Sequence, residues 1–283
     1  MQKAIFGLIG NPVGHSLSPL MHQHALKHLG IDGVYIPLQV HPGDLKQAIQ
    51  GIRALNFQGV NVTLPYKEAV IPYLDDLGPE AEACQAVNLI SNQQGTLIGH
   101  NVDGKAFVGS LVQAGIQPRG KAVLIGAGGA ARAVAYSLSA AGVEELCLLD
   151  IQEGKAQALA SYLNQHCTAR AVGYVMSDEQ FLNLAETAEL IVNCSPQGMF
   201  PHVERSPVTS LRGLSRQIVV CDLIYNPIET RLLHMAKEQG MKVVSGIDMF
   251  VEQGALSLEL WTGQRAPRNK MKAVIRDALQ DSR

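Results

Sequence analysis

Read for hydrophobic and polar positions alone, the chain alternates short apolar runs with amphipathic segments from one end to the other. The runs 4–9, 34–40 and 59–65 predict strands, as do shorter ones at 86–90 and 99–104. Between them, a helix starts near Leu20 after Ser18-Pro19, and another covers 42–54. Phe107, Leu111 and Val112 share one face of a connecting helix over 105–116, ended by Gly115 and Pro118.

Next comes KAVLIGAGGAARAVAYSLSAAGVEELCLLD, residues 121–150. Its continuous run Ala122-Val123-Leu124-Ile125 is that of a strand buried on both faces of a parallel sheet. Gly126, Gly128 and Ala131 fall in the G-x-G-x-x-G/A spacing. The first glycine suits a tight turn, the second lets a pyrophosphate approach the backbone, and the small third residue lets helix and strand pack closely. An Ala-rich helix follows, whose N-terminal N–H groups form an anion site. A second strand, 146–149, ends on Asp150, where a carboxylate can receive the ribose hydroxyls of a dinucleotide. The pattern then continues with helices near 153–165 and 178–187, strands at 169–175, 190–193, 217–222 and 243–244, and a proline-rich loop at 194–208. A helix through Lys237 precedes the last strand. Two final helices, 247–262 and 267–280, have no further strand to cover. The fold class expected is α/β: an N-terminal α/β substrate domain over 1–104, to which 247–283 returns, and a Rossmann-like, doubly wound dinucleotide-binding domain over 105–246.

Composition narrows the classes. Of 283 residues, 47% are hydrophobic and 17% charged, with a net charge of −2, so a polybasic surface for nucleic acid or membrane is not expected. The five cysteines include no C-x-x-C pair and read as buried thiols in a reducing compartment. The N-terminus shows no long apolar segment or cleavage site, and the cytoplasm is the expected location. No metal-ligand cluster is evident.

Several candidate residues allow two readings. Ser18 and Pro19 suit a helix start with Ser18 as N-cap, and Ser16 and Ser18 also suit a carboxylate site. Lys67 follows the C-terminal end of a strand, at a helix start where its charge opposes the dipole. Asp103 fits either an N-cap or a working carboxylate.

GNPVGHSLSPLMH, NVTLPYK, AVNL, GHNVDG, GAGGAARA and GIDMFVEQGALSLELWTG together resemble the shikimate dehydrogenases over nearly the whole chain. The resemblance implies reversible reduction of 3-dehydroshikimate to shikimate with a nicotinamide cofactor, a step of aromatic amino acid (chorismate) biosynthesis, in a cleft between the two domains. It implies a catalytic pair, Lys67 and Asp103. Ser16 and Ser18 would bind the substrate carboxylate, and Thr63, Asn88, Tyr225 and Gln253 its carboxylate or hydroxyls. The cofactor would meet Gly126, Ala127, Gly128, Gly129, Ala130, Asp150, Lys155, Leu223 and Gly246. His15 and His100 are read as structural. Leu89 and Val102 stand where the family usually has Thr.

NADP-using members follow the second strand with N-R-T-x-x-R/K. Here the run is Asp150-Ile151-Gln152-Glu153-Gly154-Lys155. NAD is therefore the expected cofactor, with Lys155 leaving NADP admissible. A quinate or dual quinate/shikimate dehydrogenase is the nearest rival, and a non-catalytic dinucleotide sensor a remote one. The partner expected is a small molecule, shikimate or quinate, and a homodimer is admitted.

Overall fold

A computed structural model of the chain describes residues 3–281. It divides into two compact units, residues 1–102 with 251–283, and residues 103–250.

The first unit opens with β1 (Ala4–Gly10), α1 (Ser18–His28), β2 (Gly33–Gln39), α2 (Leu45–Ala54) and β3 (Gly59–Val62). A two-residue β4 (Asp76–Leu77), α3 (Pro79–Cys84) and the pair β5 (Leu89–Gln93) and β6 (Thr96–His100) follow. The sheet order is β2-β1-β3-β5-β6-β4. β1 pairs in parallel with β2 and β3, whereas β5 runs antiparallel to β3 and β6. Ile9, Val60, Val62, Ile90 and Leu97 form the core with Ile49 and Ile52 of α2.

The second unit holds α4 (Asp103–Gln113), β7 (Gly120–Ile125), α5 (Gly129–Ala140), β8 (Val143–Asp150), α6 (Lys155–His166) and β9 (Arg170–Val175). It continues through α7 (Asp178–Ala185), β10 (Leu190–Asn193), β11 (Val219–Asp222), α8 (Arg231–Glu238) and β12 (Lys242–Val244). All strands are parallel, in the order β12-β11-β10-β7-β8-β9. This is the doubly wound order of dinucleotide-binding folds, so the expected fold class holds. The last two helices are α9 (Gly246–Thr262), which carries the unit boundary between Phe250 and Val251, and α10 (Arg268–Asp281). Arg268 clamps α9 to α10, its guanidinium meeting Glu252 at 2.7 and 2.9 Å and Glu259 at 2.5 and 3.1 Å. Among the described residues, no helix is long and apolar enough to cross a membrane.

Three local expectations need correction. Ser18 is not the N-cap of α1: Leu17 stands there without a side-chain bond, and Ser18 is itself helical. It is the Ser16 hydroxyl that accepts the Ser18 N–H, at 3.2 Å. Lys67 does not open an α-helix either, because Tyr66 to Val70 form turns ahead of a single 3-10 turn at 71–73. The strands expected at 86–90 and 99–104 sit instead at β5 and β6. The reason is their two-residue turn, Gln94 (φ 54°) and Gly95 (φ 95°), which pairs Gln93 with Thr96 and sets the hairpin register.

Candidate functional site

In the second unit, β7 is followed by Gly126, whose φ of +102° favours glycine. A Cβ there would lie 3.1 Å from the backbone of Cys194 and of Ser195. Gly128 is the extended N-cap of α5, and nothing lies within 4 Å of where its Cβ would be. The helix opens with Gly129 and Ala130, and the first intrahelical bond runs from Arg132 N–H back to the Gly128 carbonyl. The N–H groups of the first turn therefore face an open approach over a bare backbone, which fits the pyrophosphate of a dinucleotide.

Asp150 ends β8 beside this turn. Its Oδ2 accepts the Ala127 N–H at 2.8 Å and its Oδ1 the Gln152 N–H at 2.9 Å. Lys155 Nζ stands 3.6 Å from Oδ2. The carboxylate thus braces the glycine turn as well as presenting charge at the strand end, with one acceptor site left on each oxygen. Ile151 beside it is 77% exposed.

On the other side of the sheet's midline lie Leu223, Tyr225 and Gly246. Leu223 N–H donates to the Asn193 carbonyl at 3.1 Å. The Tyr225 ring stacks on Phe250 at 4.2 Å. A Cβ at Gly246 would come within 2.5 Å of the Leu223 and Ile224 backbone, so only glycine lets α9 begin there. Asp222, next to Leu223, is almost wholly buried; burial pushes its carboxyl up to about 6, against hydrogen bonds from Ile224, Thr230 and Asn193 that pull it down.

In the first unit, hydrogen bonds anchor the segments that carry the expected substrate residues. The Lys67 carbonyl accepts the Val87 N–H at 2.7 Å, and the Asn88 carbonyl accepts the Val62 N–H at 2.9 Å. Asn88 Oδ1 accepts the Val102 N–H at 2.9 Å, immediately before Asp103, which is buried in the first turn of α4. Thr63 is anchored by its N–H to the Ile9 carbonyl at 2.9 Å. His15 is exposed, and His100 Nε2 lies 3.0 Å from the Ser91 hydroxyl within the hairpin.

Three residues that sequence reading passed over connect the rest. Tyr35 donates to Asn61 Oδ1 at 2.9 Å, with the Ser18 side chain beside its hydroxyl. Asn61 Nδ2 reaches the Asn88 carbonyl at 3.2 Å and the Ser257 hydroxyl at 2.9 Å, and Ser257 donates to the Gln253 carbonyl at 2.8 Å. The one available signal was Asn61, a polar side chain inside the apolar run Val60-Asn61-Val62. His22 stacks on Tyr35 with ring centroids 4.3 Å apart, and burial pushes its imidazole down to about 3, so it stays neutral there.

Comparison with known proteins gives the family. Residues 8–90 match the shikimate dehydrogenase substrate binding domain, and residues 246–276 the shikimate 5'-dehydrogenase C-terminal domain. A shikimate dehydrogenase (NADP(+)) of Syntrophomonas wolfei is 46% identical over 98% of this chain and 95% of its own. The shikimate 5-dehydrogenase of Listeria monocytogenes, solved with shikimate and NAD, is 34% identical with a TM-score of 0.91, covering 96% of each chain. The Thermus thermophilus enzyme, solved with NADP(H) and shikimate, is 37% identical with a TM-score of 0.88, covering 98% of this chain and 100% of its own. This chain belongs to the shikimate dehydrogenase family.

Proposed function

We propose that the chain is a shikimate dehydrogenase that interconverts 3-dehydroshikimate and shikimate with a nicotinamide dinucleotide. The observation that carries this reading is the hydrogen-bonded assembly of Asn88 and Gln253 through Asn61 and Ser257, with Tyr35 bonded to Asn61 beside Ser18 and with Lys67 bonded to Val87 next to Asn88. The open glycine turn of the second unit supports the cofactor half.

When bound, the dihydronicotinamide supplies the hydride. The chain's residues handle the oxygen on which charge develops. The Lys67 ammonium hydrogen-bonds that oxygen and stabilises its charge. Asp103 orients the substrate hydroxyl and balances the ammonium. Ser16 and Ser18 donate to the carboxylate, and Thr63, Asn88, Tyr225 and Gln253 contact the carboxylate or the hydroxyls. Assays of reduced-nicotinamide absorbance with shikimate or quinate, each with NAD+ or NADP+, test the reading. No turnover of shikimate with either cofactor would reject it.

Two substitutions probe the binding groups. Asp103→Asn should lower kcat and also raise KM for shikimate, because orientation and charge balance act in both ground and transition state. Unchanged values for both constants would remove Asp103 from the site. Ser16→Ala should raise KM about ten- to a hundredfold, since a hydrogen bond to a charged group is worth about 1.5–3 kcal/mol. Ser18→Ala should act alike on KM and should also lower Tm, because Ser18 is buried beside the Tyr35 hydroxyl. Wild-type KM in both variants would leave the serines with local structure only.

On the choice of cofactor, the relatives' names favour NADP+. The preference for NAD is carried by residues 150–155 of this chain alone. A 2'-phosphate there would meet the Asp150 and Glu153 carboxylates, no guanidinium at Ile151, and a Lys155 ammonium already beside Asp150.

A further inference from the structure

Asn193 and Asp222 are register partners at the C-terminal ends of β10 and β11, with exposures of 0% and 2%. The Asp222 carboxylate accepts from Asn193 Nδ2 at 3.1 Å, from the Ile224 N–H at 3.0 Å and from the Thr230 hydroxyl at 2.7 Å. Thr230 in turn accepts the Leu233 N–H and caps α8. Asn193 Oδ1 accepts the Ser195 N–H at 3.0 Å and hydroxyl at 2.7 Å, while its Nδ2 also reaches the Gln197 carbonyl at 3.2 Å. One buried carboxylate therefore ties together segment 194–197, segment 223–225 and the start of α8.

Burying a carboxylate costs several kcal/mol unless hydrogen bonds replace its water, and apolar side chains of similar volume are often as stabilising. Rigidity alone does not call for a charge at this point. Its place in the sheet gives a reason. In a doubly wound fold each half of the sheet takes one mononucleotide, on either side of the central strand pair. Asp150 and the glycine turn stand in the β7-β8-β9 half, and Asn193 and Asp222 in the β10-β11-β12 half. Ser195 also lies against the glycine turn, its N 3.1 Å from where a Gly126 Cβ would be.

We infer that Asp222, acting through Asn193 and Thr230, is a positioning residue for the nicotinamide half of the dinucleotide, holding segments 194–197 and 223–225 against which that half would bind. The inference rests on the reading that the second unit binds a nicotinamide dinucleotide.

The test uses the whole chain and binding without substrate. Dissociation constants are measured for the reduced dinucleotide, NADH or NADPH, by its fluorescence, and for ADP-ribose, which lacks the nicotinamide, by calorimetry. Thr230→Val replaces the hydroxyl by a methyl, and should weaken the reduced dinucleotide about tenfold while ADP-ribose stays within about twofold, as expected for losing part of a charge-assisted bond. Thr230→Ser keeps the hydroxyl and should restore the wild-type constant. Asp222→Asn should reproduce the Thr230→Val pattern, and if it does not fold, the Thr230 pair decides. A merely structural role would lower Tm in Thr230→Val yet leave both constants at wild-type values, or weaken both ligands equally, and either result overturns the inference. A wild type that binds neither ligand would instead overturn the dinucleotide reading, and the inference with it.

Discussion

Replacing Lys67 by alanine should lower kcat by ~10²–10⁴-fold while KM for shikimate moves much less. An interaction made chiefly with the developing oxyanion is lost from the transition state and hardly from the ground state. That loss corresponds to about 2.7–5.5 kcal/mol of barrier. The fold should tolerate the change, for backbone bonds and the buried Tyr66 also hold this turn. Tyr66 is buried with its hydroxyl on the Val40 carbonyl, and Lys67 is held by its own carbonyl through Val87. Tm should therefore stay near the wild-type value. Lys67→Arg should also turn over slowly, because a planar guanidinium keeps the charge but not the compact geometry of the ammonium at the oxyanion. Steady-state kinetics beside a thermal melt decide the case. A folded Lys67→Ala variant with near wild-type kcat would end the assignment.

The second large effect is on cofactor choice. The wild type should prefer NAD+ over NADP+ by roughly ten- to a thousandfold in kcat/KM, or about 1.4–4 kcal/mol. A carboxylate accepts hydrogen bonds from ribose hydroxyls but meets a 2'-phosphate as like charge. The structure separates the two residues that matter. Asp150 also carries the Ala127 and Gln152 N–H groups, so Asp150→Asn turns one accepting oxygen into a donor facing an N–H and should weaken both cofactors somewhat. Ile151 is exposed, and Ile151→Arg supplies a guanidinium fork without disturbing that brace. The single Ile151→Arg variant should raise kcat/KM with NADP+ about tenfold and leave NAD+ nearly unchanged, as one added charge-assisted phosphate bond would. The double variant should narrow the ratio further or reverse it. Equal or higher kcat/KM with NADP+ in the wild type would sink the preference and leave this chain with the cofactor of its named relatives.

Much of this protein was legible because its information is local. The β7 to β8 unit, from Lys121 to Asp150, lies within thirty consecutive residues, where apolar runs, glycine spacing and a terminal carboxylate all sit inside one window. The parallel, doubly wound sheet follows from that alternation. The hairpin of β5 and β6 was displaced in the sequence reading because Gln94-Gly95 is a weak turn signal beside the stronger Asn-Gly or Asp-Gly pairs. Ser18 is a related case: serine before proline suits a cap, and only the folded chain puts Leu17 at that position and Ser18 inside the helix.

The brace functions were decided by tertiary structure alone. Asn61 meets Ser257 across 196 residues of sequence, and Asn193 meets Asp222 across 29. No periodicity links such pairs, since a buried polar group shows its purpose only once chain closure has brought its hydrogen-bond partner within about 3 Å. The sequence by itself determined which residue types the chemistry has to work with and which strands and helices carry them. The folded chain decided which of them hold the others in place, because desolvation penalises a buried donor or acceptor left without a partner, and the partners found here come from distant strands and helices.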